Sequence, residues 1–209
     1  VVYFLAGIKV RELSLPFLGH IQLGWWSFPL TIFWILALTN AVNLIDGLDG
    51  LATGVTLISL VTMGIVGFFF LKSWQHYVPI MCIMLAACLL GFLPYNFHPA
   101  KIFLGDTGAL YIGFMISVLS LKGLKNVTFV SLLVPILILG VPITDTVYAM
   151  IRRKLNKKNI SQADKHHLHH QLMRMGLSHR QTVLAIYGIS LIFSFVSLLS
   201  LVSPRWGIW

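Results

Sequence analysis

Asn40, Asn43, Asp46 and Asp49 stand three residues apart in the stretch NAVNLIDGLDGLATG, 40–54. On a helical or near-helical end this spacing gathers four polar side chains on one face. Amide and carboxylate oxygens presented together suit a hydrated magnesium ion, ribose hydroxyls or the edge of a base. Gly47, Gly50 and Gly54 allow a sharp turn or a close backbone approach at the same place. A helix C-cap carrying incidental polar residues is the alternative, and four side chains in register make it the poorer reading.

A second stretch, NFHPAKIFLGDTGAL, 96–110, puts Asp106 between Gly105 and Gly108, after a helix-breaking Pro99. Short Gly/Asp turns are common and weak evidence alone. Here the carboxylate sits on a turn between two apolar segments, with Lys101 near enough to face a phosphate, which fits a metal-bound pyrophosphate. A third stretch, DKHHLHHQLMRMGLSHR, 164–180, pairs His166 with His170 at i,i+4, and both His167 with His170 and His166 with His169 at i,i+3. Histidines at i,i+4 can chelate zinc. No cysteine or dedicated third and fourth ligand accompanies them, so a grip on phosphate or sugar fits these interleaved basic residues better. A solvated basic loop is the alternative, above all for His179. Asp145 and Asp164 read as ordinary loop aspartates.

The elements that must position these residues are membrane spans. Of 209 residues, 57% are hydrophobic and only 10% are charged, with a mean hydropathy of +0.87. Soluble domains carry about 25% charged residues, so lipid is the expected solvent. Uncharged runs cover 28–45, 51–71, 77–100, 126–144 and 181–204, with a shorter one at 107–121. About 20 apolar residues cross a bilayer core of about 30 Å. The opening run 1–8 is too short to span and reads as the end of a truncated helix; it carries no basic n-region or cleavage site of a signal peptide. The expectation is an all-α polytopic bundle in a single domain, 1–209, with five full spans plus one truncated N-terminal span.

With 152–180 placed in the cytoplasm and the chain alternating, nine Lys and Arg residues fall inside and six outside. The densest cluster, RRKLNKK at 152–158, sets this orientation. All five aspartates then lie at or near cytoplasmic span ends, where a polar cavity would open. A net charge of +9 placed beside spans points to anionic lipid or an anionic substrate, not to nucleic acid. Cys82 and Cys88 lie in an apolar run without ligand spacing and read as small packing residues. An ion transporter is a competing class, but its aspartates belong at mid-span; a metal-responsive membrane protein using the histidines is a third.

NxxNxxDGxDGLA, FxGDxG and the HLHHxLxxxGxSHRQ loop, in this order from about 40 to 180, resemble the polyprenyl-phosphate N-acetylhexosamine-1-phosphate transferases. The histidine loop looks like the branch that starts teichoic-acid and related cell-surface polymers from UDP-N-acetylglucosamine; the peptidoglycan branch, which uses a muramoyl-pentapeptide donor, carries a differently flanked histidine run. The resemblance implies a bacterial cell-membrane enzyme that transfers N-acetylglucosamine 1-phosphate to undecaprenyl phosphate on its cytoplasmic face and releases UMP. Magnesium is the implied cofactor, with manganese as a substitute. Asp46, Asp49 and Asp106 are the implied catalytic carboxylates, Asp106 ligating the metal with Asn43 as second ligand. Asn40, Asn43, Lys101 and Phe103 would bind substrate, Phe103 stacking on uracil unless it is a plain core residue. His167, His169, His170, Arg152 and Arg153 would hold the donor's phosphates or sugar. A homodimer is compatible with the family. Its members carry an early Asp-Asp motif that this sequence lacks, so the chain reads as missing N-terminal spans.

Overall fold

The apolar runs fold as helices of membrane-crossing length. In a computed structural model, residues 3–4, 7–10, 12–15, 19–70, 77–123, 140, 143 and 168–202 are described. A two-stranded antiparallel hairpin, β1 (Glu12–Leu15) and β2 (Gly19–Gln22), and a 3₁₀ turn at Gly24–Trp26 lead into α1 (Ser27–Ile45). Then follow α2 (Leu51–Phe70), α3 (Tyr77–Asn96), α4 (Gly105–Gly123), the short α5 (Leu168–Arg174) and α6 (His179–Val202). Among the described residues four helices are long and apolar enough to cross a membrane: Gly24–Ile45, Leu51–Phe69, Tyr77–Asn96 and His179–Leu199. The protein is a helical, multi-pass membrane protein.

The short run 107–121 lies within the 19 residues of α4, about 28 Å of helix at 1.5 Å per residue; α4 is not among the four apolar spans. The run 126–144 lies outside the described residues except for Gly140 and Ile143. The opening residues differ from the sequence expectation. Tyr3 and Phe4 form a turn and Gly7–Val10 carry no regular structure. Val10 is buried, donates its N–H to Thr31 Oγ1 at 3.2 Å and packs with Ile8 and Leu121, so these residues are pinned across α1 as irregular chain. The hairpin was not foreseen either.

Polarity follows lipid as solvent. Phe33, Phe69, Leu90 and Phe195 face outward, whereas Thr53, Thr56, Ser59 and Thr62 are buried. Such hydroxyls are tolerated inside because they bond back to their own helix: Thr56 to the Ala52 carbonyl at 2.6 Å, Ser59 to Val55 at 2.8 Å and Thr62 to Ile58 at 2.8 Å. The helix α2 lies between α3 and α6, while α1 packs on α4. One core cluster joins Leu38, Leu60, Cys82, Ile112 and Ile116. A second joins Ile45, Leu51, Val55, Val183 and Ile186, with Leu168 and Leu172 of α5 against it.

Helix association in lipid relies on close packing at small residues, and Gly54 is such a place. A Cβ there would fall inside the ring of Tyr187, whose hydroxyl donates to the Gly50 carbonyl. The ring cannot retreat without losing that bond. Gly54→Ala is therefore expected to cost about 1–3 kcal/mol, as overpacking does, read as a lowered thermal midpoint of the detergent-solubilised protein. An unchanged midpoint would mean Tyr187 is not seated against α2 in this way.

Candidate active site

Antiparallel connectivity brings the C-terminal ends of α1 and α3 and the N-terminal ends of α2, α4 and α6 to one end of the bundle. The two loops that carry the predicted carboxylates therefore meet there. Gly105, with φ +66°, turns the chain into α4, a conformation that glycine adopts without strain. This sets Asp106 in the first turn of α4, exposed, where the helix dipole favours a negative charge. Asn43, near the end of α1, donates its Nδ2 to Asp106 Oδ1 at 3.2 Å. Asp46 caps α1. Burial, then the charges of Asp106 and Asp49, push its carboxyl up to about 6. Asp46 and Asp106 form no ion pair among the described residues. Crowded carboxylates beside an amide, short of a compensating cation, are the donor set that a hard divalent ion takes.

Asp49 has left the α1 face. The helix stops at Ile45 and residues 46–50 form turns, so the predicted four-residue polar stripe is split. Asp49 instead reaches the α3–α4 loop: its Oδ2 accepts from His98 Nδ1 at 3.0 Å and from the Ala100 N–H at 3.2 Å. Burial raises its carboxyl, but these hydrogen bonds, with the charges of His179 and His98, outweigh that and hold it below the usual carboxylate value. His98 stacks on His179, with ring centroids 4.0 Å apart and planes 18° apart, and its carbonyl accepts from Arg180 Nε at 3.1 Å. Asp49, His98 and His179 have ligand atoms within 4.8 Å of one another. A histidine ligates through a lone pair in its ring plane, however, and one ion cannot lie in two stacked, nearly parallel planes. The arrangement is a hydrogen-bonded pair braced by a third ring.

The loop itself hangs on Asn96, which is buried. It accepts from Thr53 Oγ1 of α2 at 2.6 Å and donates to the Ile102 carbonyl at 3.0 Å. Ser178 and Gln181 form a reciprocal N-terminal cap on α6, with N–H to side-chain oxygen distances of 2.9 and 3.4 Å.

Of the predicted residues, Asn43, Asp46, Asp49 and Asp106 come together. Phe103 is 73% exposed, so it is not a core residue, and Lys101 is exposed beside it. Asn40 is exposed and donates to the Leu36 carbonyl of its own helix at 2.7 Å. His169 and His170 lie on α5; their side chains, with Arg152, Arg153 and His167, are outside the described residues. The sequence reading passed over His98 and Asn96, and set His179 aside as solvated, whereas its ring is stacked and partly buried. The Ser-x-x-Gln cap signal at 178–181 was the one local hint that a helix begins beside His179.

The family model for glycosyl transferase family 4 matches residues 1–124, a stretch that includes the Asn43–Asp106 pair and the Asp49–His98 pair. The chain belongs to glycosyl transferase family 4. Within that family it is 51% identical over 202 residues to a probable undecaprenyl-phosphate N-acetylglucosaminyl 1-phosphate transferase of Bacillus subtilis (strain 168), covering 96% of this chain and 56% of the relative. It is 36% identical over 178 residues to a decaprenyl-phosphate N-acetylglucosaminephosphotransferase of Mycobacterium tuberculosis (strain ATCC 25618 / H37Rv), covering 77% and 44%. A phospho-N-acetylmuramoyl-pentapeptide-transferase of Clostridium botulinum (strain Eklund 17B / Type B) is 36% identical over 195 residues, covering 91% and 56%. This family 4 chain spans about half the length of the curated relatives it matches.

Proposed function

We propose that the protein transfers N-acetylglucosamine 1-phosphate from UDP-N-acetylglucosamine to undecaprenyl phosphate at the cytoplasmic face of a bacterial membrane, as the first step of a teichoic-acid or related surface polymer. The observation that carries this reading is the Asn43–Asp106 pair beside Asp46, at one end of a membrane bundle. The 51% identity to the Bacillus subtilis relative supports the sugar and the lipid. An oxygen of the lipid phosphate forms a bond to the sugar-linked phosphorus, and the bond from that phosphorus to the bridging oxygen breaks, so UMP leaves with its electron pair. Such a transfer depends mostly on positioning and on neutralising phosphate charge.

Asp106 and Asn43 would hold magnesium, with manganese as a substitute. The ion would supply charge neutralisation to the pyrophosphate. Asp46 and Asp49 line the nucleotide site, the exposed ring of Phe103 stacks on uracil, and Lys101 faces phosphate. His167, His169, His170, Arg152 and Arg153 hold the donor's phosphates or sugar, and Asn40 on α1 is a further substrate-binding group.

The test uses the full-length protein in membranes with magnesium and undecaprenyl phosphate, and with UDP-N-acetylglucosamine and UDP-N-acetylmuramoyl-pentapeptide at equal concentration. The expected product is lipid-linked N-acetylglucosamine with release of UMP. Excess UMP should regenerate the donor, because one pyrophosphate diester is exchanged for another. Preferential use of the muramoyl donor would move the chain to the peptidoglycan branch represented by the Clostridium botulinum relative; a product inert to UMP would overturn the chemistry.

A further inference from the structure

We infer that His98 is a positioning residue of the nucleotide site, whose imidazole N–H fixes the Asp49 carboxylate from the α3–α4 loop. The inference rests on the reading that Asp49 lines the site for the donor's nucleotide. Both hydrogen bonds to this carboxylate among the described residues fall on Oδ2, from His98 Nδ1 at 3.0 Å and the Ala100 N–H at 3.2 Å. A carboxylate has two oxygens, each able to accept twice, so this one-sided anchoring leaves Oδ1 for a ligand. Asp49 sits on a turn between α1 and α2, and among the described residues both hydrogen bonds to its carboxylate come from outside that turn. The loop at 97–100 supplies them from a separate element.

His98 is in turn fixed from two sides. Arg180 Nε donates to its carbonyl at 3.1 Å, and the His179 ring lies 4.0 Å from its own. His179 and Arg180 open α6, so the end of the third sequence motif braces the residue that orients an aspartate of the first. The Asp49–His98 pair is partly exposed, and exposed ion pairs add little to stability. Its geometry therefore matters more for where Oδ1 points than for holding the bundle together.

The experiment is equilibrium binding of UMP to the full-length, detergent-solubilised protein in the presence of magnesium, which needs no turnover. His98→Phe keeps an aromatic ring for His179 and deletes the donor. It is expected to weaken UMP binding about tenfold, the loss typical of a hydrogen bond to a charged group. His98→Asn, whose side-chain amide can donate from nearly the place of Nδ1, should bind within about threefold of wild type. Asp49→Ala should weaken binding at least as much as His98→Phe, and the double variant no more than Asp49→Ala alone, because His98 acts through Asp49. The thermal midpoint of each variant, measured alongside, should stay near wild type. Losses that multiply in the double variant, wild-type affinity in His98→Phe, or a fall in midpoint that tracks the fall in affinity would overturn the positioning role. One equivalent of zinc bound by wild type and lost in His98→Phe would also overturn it, in favour of a metal centre. Failure of folded wild type to bind UMP would overturn the nucleotide-site reading itself, and the inference with it.

Discussion

Asp106→Asn in the full-length protein is expected to lower sugar-phosphate transfer by at least about a hundredfold while leaving expression and thermal stability near wild type. The magnitude is that of removing a major electrostatic contribution from a phosphoryl-transfer site. Stability should hold because the carboxylate is exposed in the first turn of α4. An asparagine there keeps an oxygen for the Asn43 N–H, which now donates to Oδ1 at 3.2 Å. The lost quantity is one negative charge beside Asp46, so the variant should need far more magnesium for whatever activity remains. Transfer of labelled sugar phosphate across a magnesium titration measures both effects. Activity near wild type at ordinary magnesium would remove Asp106 from the metal site.

The sequence revealed the membrane class because its apolar runs have the length of the bilayer, and α1, α2, α3 and α6 coincide with four of them. It singled out Asp106 and Asn43, which the structure places in contact, because an aspartate on a Gly-flanked turn and an amide near a span end need little tertiary context. It misplaced Asp49 for a local reason: the three-residue spacing assumes a helix that ends at Ile45. Beyond that point the chain turns, and the partner of Asp49 is His98, 49 residues away. His98 and His179 are 81 positions apart and meet only because α3 ends where α6 begins. A reading of local spacing cannot see such pairs. Asn40 shows the converse limit, since nothing in its spacing foretold that its amide would turn back to the Leu36 carbonyl. The hairpin at Glu12–Gln22 escaped because its strands are four residues each, so the alternation in ELSL is too short to stand out and GHIQ does not repeat it.

The magnesium requirement of transfer should rise as pH falls through about 6, by at most about tenfold for each unit below that value, the limit for an ion that binds only the ionised carboxylate. Asp46 is the group responsible. Burial, followed by the charges of Asp106 and Asp49, raises its carboxyl from the ordinary 3.8 to about 6. A cation among these carboxylates favours the ionised form, so protonation must weaken the cation's hold by linkage. Magnesium titrations of transfer at several pH values between about 5 and 8 measure the effect, and Asp46→Asn should flatten the pH dependence. A magnesium requirement that is constant over this range, or that varies equally in Asp46→Asn, would exclude Asp46 from the ion's surroundings. Stability without the metal should run the other way. A carboxyl with a raised folded-state value binds protons more tightly folded than unfolded, so its contribution is fully present below 3.8 and is lost as pH rises through about 6. In metal-free buffer Asp46→Asn should therefore raise the thermal midpoint at neutral pH and have little effect near pH 4, because the amide removes the cost of burying a charge and, with it, the repulsion from Asp106 and Asp49. The same substitution would stabilise the empty site and impair the charged one, which is the signature of a carboxylate retained for a cation and not for the fold.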